Sequence, residues 1–418
     1  MYDIIIVGTG ASGLACAARI LRNSKNKPNM LILDANKKAG RKLLATGNGR
    51  CNLTNENMSL EHYHGDTDKL SYLMDSYSHK ALEFFEDLGL LTGADGEGRV
   101  YPYSKQATSV LNILMNAVGC EIRYESAVKS VKKYKNSFDL TLENGEKLDC
   151  RVLIIAGGGA ASPKLSASKN CYSLCESLGH SVTKLYPSLV PMKCDDAFLK
   201  KLVGVRCRAE VTLMNGINPL KSETGELQIT DKAISGICIF NLSVLAAEYY
   251  EKKQNKKSNL GVKIDFMPDY SFSQCMDFIR RAASLNARLP ISSLFDGILN
   301  NKVGLALIQK AGLNPNDKCE NISSKSIFVL TSLVKGLTLP ISGLKSFDDA
   351  QVTAGGIPLK EINQYTMESA KCKNLYLCGE ILNIHGDCGG YNLHFAWMSA
   401  LCAADAVCDK LGKNDKNK

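Results

Sequence analysis

Gly8, Gly10 and Gly13 stand directly after the apolar run Asp3 to Val7, and this junction limits the fold more than any other stretch of the sequence. A short apolar run of this kind reads as a buried parallel strand. In the turn VGTGASG each glycine acts differently. Gly8 reverses the chain, Gly10 lets a pyrophosphate approach the backbone, and Gly13 lets the next helix pack on the strand. The amino end of that helix, which runs over Leu14 to Leu21, then faces an anion. Glycine clusters also mark ordinary turns, so the sequel decides. A polar loop, Asn23 to Asn29, leads to a second apolar strand, Met30 to Leu33, which ends in Asp34. That acid lies 34 − 13 = 21 residues past the last glycine, near the spacing of about 20 at which a carboxylate accepts ribose hydroxyls. The pattern predicts a dinucleotide-binding α/β domain.

The 418 residues allow two or three domains at roughly 150 residues each. With 45% hydrophobic and 22% charged residues the composition is that of a globular enzyme. No apolar run approaches the roughly 18 residues that span a bilayer, and the first residues form a core strand rather than a cleavable signal, so a cytoplasmic protein is expected. The 16 cysteines are scattered without a CxxC pair, which predicts reduced core thiols and no metal site. Cys171 and Cys175, one helical turn apart, suit packing. Only Cys51 follows the first nucleotide motif closely, which argues against a flavin disulfide reductase. The net charge of +9 is spread over Lys129 to Lys135, Glu251 to Lys257 and the tail after Leu411. Such runs suit solvated faces better than a nucleic-acid groove.

The segment AGRKLLATGNGRCNLTN, Ala39 to Asn55, carries three glycines, three cations and three asparagines and no acid. It suits a loop whose backbone donors and guanidiniums face a polar ligand. Helices are expected over Leu70 to Leu88 and Thr108 to Val118, with a short strand and turn at Arg99 to Gln106. Val128 to Val131, Phe138 to Leu142 and Lys147 to Cys150 read as a meander turning at Asn144-Gly145. Arg151 to Ala156 follows as an apolar strand closing on Gly157, Gly158 and Gly159. This second glycine cluster lacks GxGxxG spacing, is followed by Pro163, and has no acid-tipped strand after it. It is expected to return to the first nucleotide, leaving one dinucleotide domain.

From Pro191 the texture changes. Leu202 to Leu213, Glu226 to Ile229, Ile237 to Leu242, Val262 to Phe266 and pieces near Val334 to Leu344 are β-like, which suggests a small barrel. Ser271 to about Gly312 is helical, broken at Pro290. The expected organisation is a Rossmann-like α/β dinucleotide-binding domain over 1–190 and 353–412, split by an inserted substrate domain over 191–352. That insert is a β-barrel with a helical cap at about 268–315, and a basic tail occupies 413–418. Near the end VTAGG, from Val352, reads as a turn and Asn374 to Leu377 as a strand. HGDCGGYN, His385 to Asn392, leads into a final helix whose positive end faces an electron-rich group.

Four segments carry a resemblance: GRKLLATGNGRCNLTN, GRVYPYSKQA, VTAGGI and NLYLCGEILNIHGDCGGYNL. Over nearly its whole length the chain resembles the flavoproteins known as the aminoacetone oxidase family or as 3-oxo-bile-acid reductases. The resemblance implies FAD, an inserted barrel and a helical cap. It implies that Gly8, Gly10, Ser12 and Gly13, with Ala11, hold the pyrophosphate. Asp34, beside Ala35, would hold the adenosine ribose, and the Val128 backbone would meet adenine. Arg41, Lys42, Gly47, Asn48, Arg50 and Cys51 would line the cofactor on one side, with Ala156, Gly157 and Gly158 at the returning strand end. Gly379, Glu380, Asp387, Gly389, Gly390, Tyr391 and Asn392 would meet the ribityl chain and ring. The chain departs from relatives at Lys169 and Asn170, where glycine and aspartate are usual. It departs also at Lys232 and Ala233, where an aromatic and glycine are common, and at Asn383 and His385, where aspartates are usual.

Flavin reduction of a conjugated double bond needs a hydride and a proton donor on the opposite carbon. Tyr101, Tyr391 and His385 are the candidate donors, and Arg50 the candidate for binding a carboxylate or polarising a carbonyl. Each has a structural alternative: packing on the cofactor for Tyr391, FAD binding for Arg50, a satisfied loop residue for His385. The function expected is an FAD-dependent oxidoreductase acting on a small or steroid-like substrate, with reduction of a conjugated C=C as in 3-oxo-Δ4 bile acids ahead of amine oxidation. An FAD-dependent RNA-modifying enzyme and a flavin redox sensor without turnover are the alternatives. The electron donor stays open, with NADH or NADPH as a transient visitor among the choices, and the sequence is silent on oligomeric state.

Overall fold

The computed structural model describes residues 1–165, 170–252 and 259–415. Lys169, residues 253–257 of the charged run and residues 416–418 of the tail lie outside them. The chain divides into two compact units, Met1–Pro187 with Gln351–Lys418, and Ser188–Ala350.

The first unit is built on a seven-stranded sheet. Tyr2–Val7 lies at its centre, parallel to Met30–Leu33 on one side and to the later half of Lys147–Ile155 on the other. Ile4, Ile5 and Ile6 are fully buried, as expected for a strand covered on both faces. Leu375–Leu377 adds in parallel beside Leu153 to Ile155, so the end of the chain completes the sheet begun by its start. Glu121–Arg123 forms the far edge next to Met30–Leu33, a strand that the sequence does not reveal because it is short and polar.

Lys147–Ile155 is one strand rather than the two expected. Lys147 to Cys150 pairs antiparallel with Phe138–Leu142, and Cys150 to Ile155 pairs in parallel with Tyr2–Val7. The hairpin turning at Asn144-Gly145 is therefore continuous with the nucleotide-binding sheet. Val352–Ala354, expected as a turn, is a short buried strand; the turn follows at Gly355 and Gly356, where φ is positive. The final helix Tyr391–Asp415 packs along Ala11–Asn23, and Arg19 grips Asp405 with two bonds of 2.8 and 3.1 Å.

The second unit carries an antiparallel seven-stranded sheet in the order Leu337–Pro340, Leu260–Asp265, Arg206–Asn215, Asn218–Thr230, Ala233–Ser235, Met192–Lys193 and Gly343–Leu344. The two end strands of this order are separated in the chain only by Ile341 and Ser342, whose N–H groups donate to Leu260 O and Lys193 O. Its helices include Phe272–Leu285, Asn301–Lys310, Ser324–Gly336 and Ile237–Lys252. The last corrects the β-like expectation at Ile237 to Leu242. The run is apolar enough to suit either state, and the 16-residue length settles it. Cys238, Ile239, Leu242 and Ala246 fall on its buried face. Gly236 makes the sharp entry, at φ +104°, where a Cβ would overlap Glu226 O. Ser324–Gly336 replaces the start of the β-like stretch near Val334. Its sequence signal is an N-cap, Ser323, whose hydroxyl accepts from Ser326 N, followed by apolar residues at helical spacing. No helix among the described residues is long and apolar enough to cross a membrane.

Candidate functional site

The first turn has the geometry its glycines predict. A Cβ on Gly8 would sit 2.5 Å from Ala156 O, and one on Gly13 would overlap Gly8 O. Nothing lies within 4 Å of the position a Gly10 Cβ would take, so the backbone there is open. Gly10 caps the helix without a side-chain bond, and the first bond into it is Leu14 N to Gly10 O. The N–H groups of Ala11, Ser12 and Gly13 thus have no carbonyl of their own helix to bond, the arrangement that receives a phosphate. Ser12 sits so close to Gly379 that a Cβ there would meet Ser12 Oγ at 2.5 Å.

Asp34 is 9% exposed at the tip of its strand. One carboxylate oxygen accepts from the Thr9 N–H and the Thr9 hydroxyl, the other from Asn36 N at 2.8 Å and Asn36 Nδ2 at 2.7 Å. A carboxylate accepts about four bonds, so ribose hydroxyls reach Asp34 by displacing the Thr9 hydroxyl or the Asn36 amide. Ala35 is exposed beside it, and Arg41 bonds Asn36 Oδ1 and Lys164 O. The Val128 carbonyl accepts from Asn170 Nδ2 at 2.7 Å.

The second glycine cluster makes room for an acid. A Cβ on Gly159 would overlap Thr353 Oγ1 and lie 2.8 Å from Glu380 Oε1; one on Gly157 would strike Cys171 Sγ, and Gly158 turns at φ +73°. Thr353 Oγ1 accepts from Ala160 N at 2.7 Å and Ala161 N at 2.9 Å, while Thr353 N donates to Glu380 Oε1 at 2.8 Å. Lys42 Nζ meets the other Glu380 oxygen at 2.7 Å. Glu380 and Lys42 are thereby brought together from opposite ends of the chain.

The cation-rich loop is held in left-handed backbone at Gly47, Asn48, Gly49 and Cys51, which is costly for asparagine and cysteine and marks a specified conformation. Arg50 is exposed, bonds Gly47 O through Nε, and stands 5.0 Å over the Tyr101 ring. Lys105 lies 4.8 Å from the same ring. Burial pushes the Cys51 thiol up to about 12, which removes it as a nucleophile. Asn52 Oδ1, close against Gly390, is buried without a hydrogen-bond partner.

The last motif folds around Asp387. Ile384–Gly386 pairs with Tyr63–Gly65, setting His385 opposite His64. Asp387 accepts from His64 Nε2 at 2.9 Å and lies 3.3 Å from His62 Nδ1. His62 stacks on Tyr391 with ring centres 4.3 Å apart. Tyr391 donates its hydroxyl to Asn57 O, and burial pushes that hydroxyl up to about 12; both facts favour packing over proton donation. Asn392 is spent on the turn, accepting from Gly386 N and donating to Gly386 O. Asn55 Nδ2 bonds Gly389 O, and a Cβ on Gly390 would strike Thr54 O. Asn383 is tied to Asp66.

The sequence does not single out Asn52, Thr353, His62 or His64. A signal exists for the histidines, which alternate in EHYHG at the spacing of one strand face, with His62 at the end of a 3-10 turn and His64 in the strand that follows. Thr353 gives none, because its hydroxyl meets backbone groups 190 or more residues away.

Residues 2–406 match the HI0933-like protein Rossmann domain. The chain belongs to this family. It is 34% identical over 420 residues to the 3-dehydro-bile acid delta(4,6)-reductase of Clostridium scindens, covering 98% of this chain and 100% of that one. It is 28% identical over 413 residues to the ribosomal RNA dihydrouridine synthase of Haemophilus influenzae, covering 96% and 98%. In fold it is similar to the 3-ketosteroid delta1-dehydrogenase of Sterolibacterium denitrificans, with a TM-score of 0.52 at 11% identity over 98% of this chain and 99% of that one. The protein is an FAD-dependent oxidoreductase. Its residues fit that cofactor: an uncapped helix start beside the open Gly10 backbone, and two orphaned buried side chains, Asn52 and His385, near the last glycine turn.

Proposed function

We propose that the protein reduces a carbon–carbon double bond conjugated to a ketone in a steroid-like acid of the 3-oxo-Δ4 class, with a reduced nicotinamide as electron donor. The observation that carries this proposal is the end-to-end 34% identity to a bile-acid delta(4,6)-reductase. FAD, when bound, supplies the two-electron carrier between donor and substrate. The chain's part is to hold and orient. The Gly8–Gly13 turn and helix start take the pyrophosphate, while Lys42, Glu380 and Thr353 brace the cofactor's middle. Arg50, exposed beside Tyr101, is assigned to the substrate's carboxylate or ketone. Tyr101 is buried beneath two cations, and burial raises its hydroxyl above the usual value, so it is assigned a packing role.

A second substrate is favoured by the relatives named ribosomal RNA dihydrouridine synthase. The 5,6 bond of uracil is also conjugated to a carbonyl, so the same chemistry serves both. An anaerobic absorbance titration separates them. The flavin bands should bleach with NADH or NADPH and recover on adding a 3-oxo-Δ4 steroid acid. Recovery with unmodified ribosomal RNA and not with the steroid would transfer the assignment to uridine. Bleaching by an amine with recovery in air would make the protein an oxidase.

A further inference from the structure

His385 is 2% exposed, and neither ring nitrogen has a hydrogen-bond partner. A neutral imidazole carries one N–H donor and one acceptor nitrogen. Burying both unmet is costly, and native proteins rarely leave such groups without a partner. The neighbours do not supply one. The His64 ring lies 5.3 Å away at 34°, with its Nε2 committed to Asp387, and the Tyr186 ring meets His385 edge-on at 6.5 Å. These contacts fix the plane of the ring without bonding it. Burial, with the neighbouring His64, drives its protonation down to about 3, so the ring is neutral at ordinary pH. The opposing pull of Asp387 is the smaller. The ring belongs to a short strand that runs directly into the last glycine turn, where Asn52 Oδ1 is orphaned too.

We propose that His385 is a neutral hydrogen-bond donor to a carbonyl oxygen brought in by a ligand, held in orientation by His64 and, through His64, by Asp387. A neutral imidazole polarises a carbonyl without giving up its proton, as it does in other enzymes. Two ligands can present that oxygen: the pyrimidine edge of FAD, or the ketone of the proposed substrate. The second source rests on the enone-reductase proposal and the first does not.

The test uses the full-length FAD-loaded protein and two substitutions. His385→Phe keeps a ring without nitrogens, and His385→Asn keeps an N–H donor. Three quantities are read: the FAD dissociation constant from flavin fluorescence, the flavin midpoint potential, and the affinity of the oxidised protein for a saturated 3-oxo steroid acid and its 3-deoxy counterpart from the shift in flavin absorbance. If the ketone is the partner, His385→Phe weakens the ketone by about tenfold or more, leaves the deoxy compound unchanged, and His385→Asn restores part of the loss. If FAD is the partner, the steroid affinities hold while FAD binding weakens about tenfold and the potential becomes more negative, again with partial rescue by asparagine. All three quantities unchanged in His385→Phe overturns the proposal, as does equal damage by both substitutions. A wild-type protein that binds no 3-oxo steroid sinks the substrate proposal alone, and the FAD measurements still decide the role of His385.

Discussion

His180 Nδ1 lies 2.9 Å from Glu361 Oε2, and both side chains are buried. Glu361 also accepts from Ser181 Oγ at 2.6 Å and Lys371 Nζ at 2.7 Å, while His180 Nε2 faces Ser369 Oγ at 2.8 Å. A serine, a histidine and a carboxylate in line resemble a hydrolytic triad. Here Ser369 Oγ is buried and accepts from the N–H groups of Lys371 and Cys372, so the group is a tie between two stretches of the first unit.

This tie predicts acid sensitivity. Burial alone would raise the Glu361 carboxyl, but the bonds from Lys371, Ser181 and His180 outweigh it and bring it down to about 2. A carboxyl depressed by folding stabilises the protein above its unfolded value and loses that contribution as pH falls toward the folded one. The contribution is about 3 kcal/mol. His180 is lowered mainly by burial, so protons taken up by the unfolded chain below about pH 6.5 add to the loss. Urea midpoints between pH 7 and pH 3 should fall more steeply for wild type than for Glu361→Gln. Parallel curves would refute the role.

Gly13→Ala should abolish FAD binding. The added methyl overlaps Gly8 O, a backbone atom that moves only with the turn itself. The purified variant is expected to be colourless and destabilised by about 3 kcal/mol or more. A yellow protein with wild-type thermal stability would contradict the packing described.

Thr353→Val should cost about 2 to 4 kcal/mol, because two buried N–H groups, those of Ala160 and Ala161, lose their acceptor. Thr353→Ser keeps the hydroxyl and should recover most of the loss. Denaturant unfolding of the three proteins tests this, and a serine variant no better than valine would show that the hydroxyl alone does not carry the stabilisation.

Cys51 should resist alkylation by iodoacetamide at pH 8 in the native state, since burial holds its thiol near 12. Peptide mapping reads the outcome, and Cys51→Ala should still be reduced by a nicotinamide at close to the wild-type rate. Rapid labelling of Cys51 would reopen disulfide chemistry.

The dinucleotide core is legible in the sequence because it is local. The apolar strand, the Gly8 to Gly13 turn and Asp34 fall within one stretch of chain, and each residue type has one physical reason to be there. What escapes is non-local or ambiguous. Ile237 to Leu242 is apolar except at Asn241, so periodicity over so short a run cannot separate strand from helix. The bonding of Asp34 by Thr9 and Asn36, and of Glu380 by Lys42 and Thr353, depends on approaches that no window of sequence contains. His385 stands out in the sequence as a departure, but its isolation from every partner is visible only with His64 and Tyr186 in place.

The sheet position of Leu375–Leu377 has a consequence for synthesis. The parallel strand beside Leu153 to Ile155 is made only after Ser188–Ala350 has been translated. A nascent chain therefore holds an unfinished edge on its first sheet while a complete second unit emerges behind it. Chains stalled short of residue 374 should yield a protease-resistant fragment close to Ser188–Ala350, while the amino-terminal strands remain cleavable. The two units are read from the gene as one nested inside the other, and the outer one closes last.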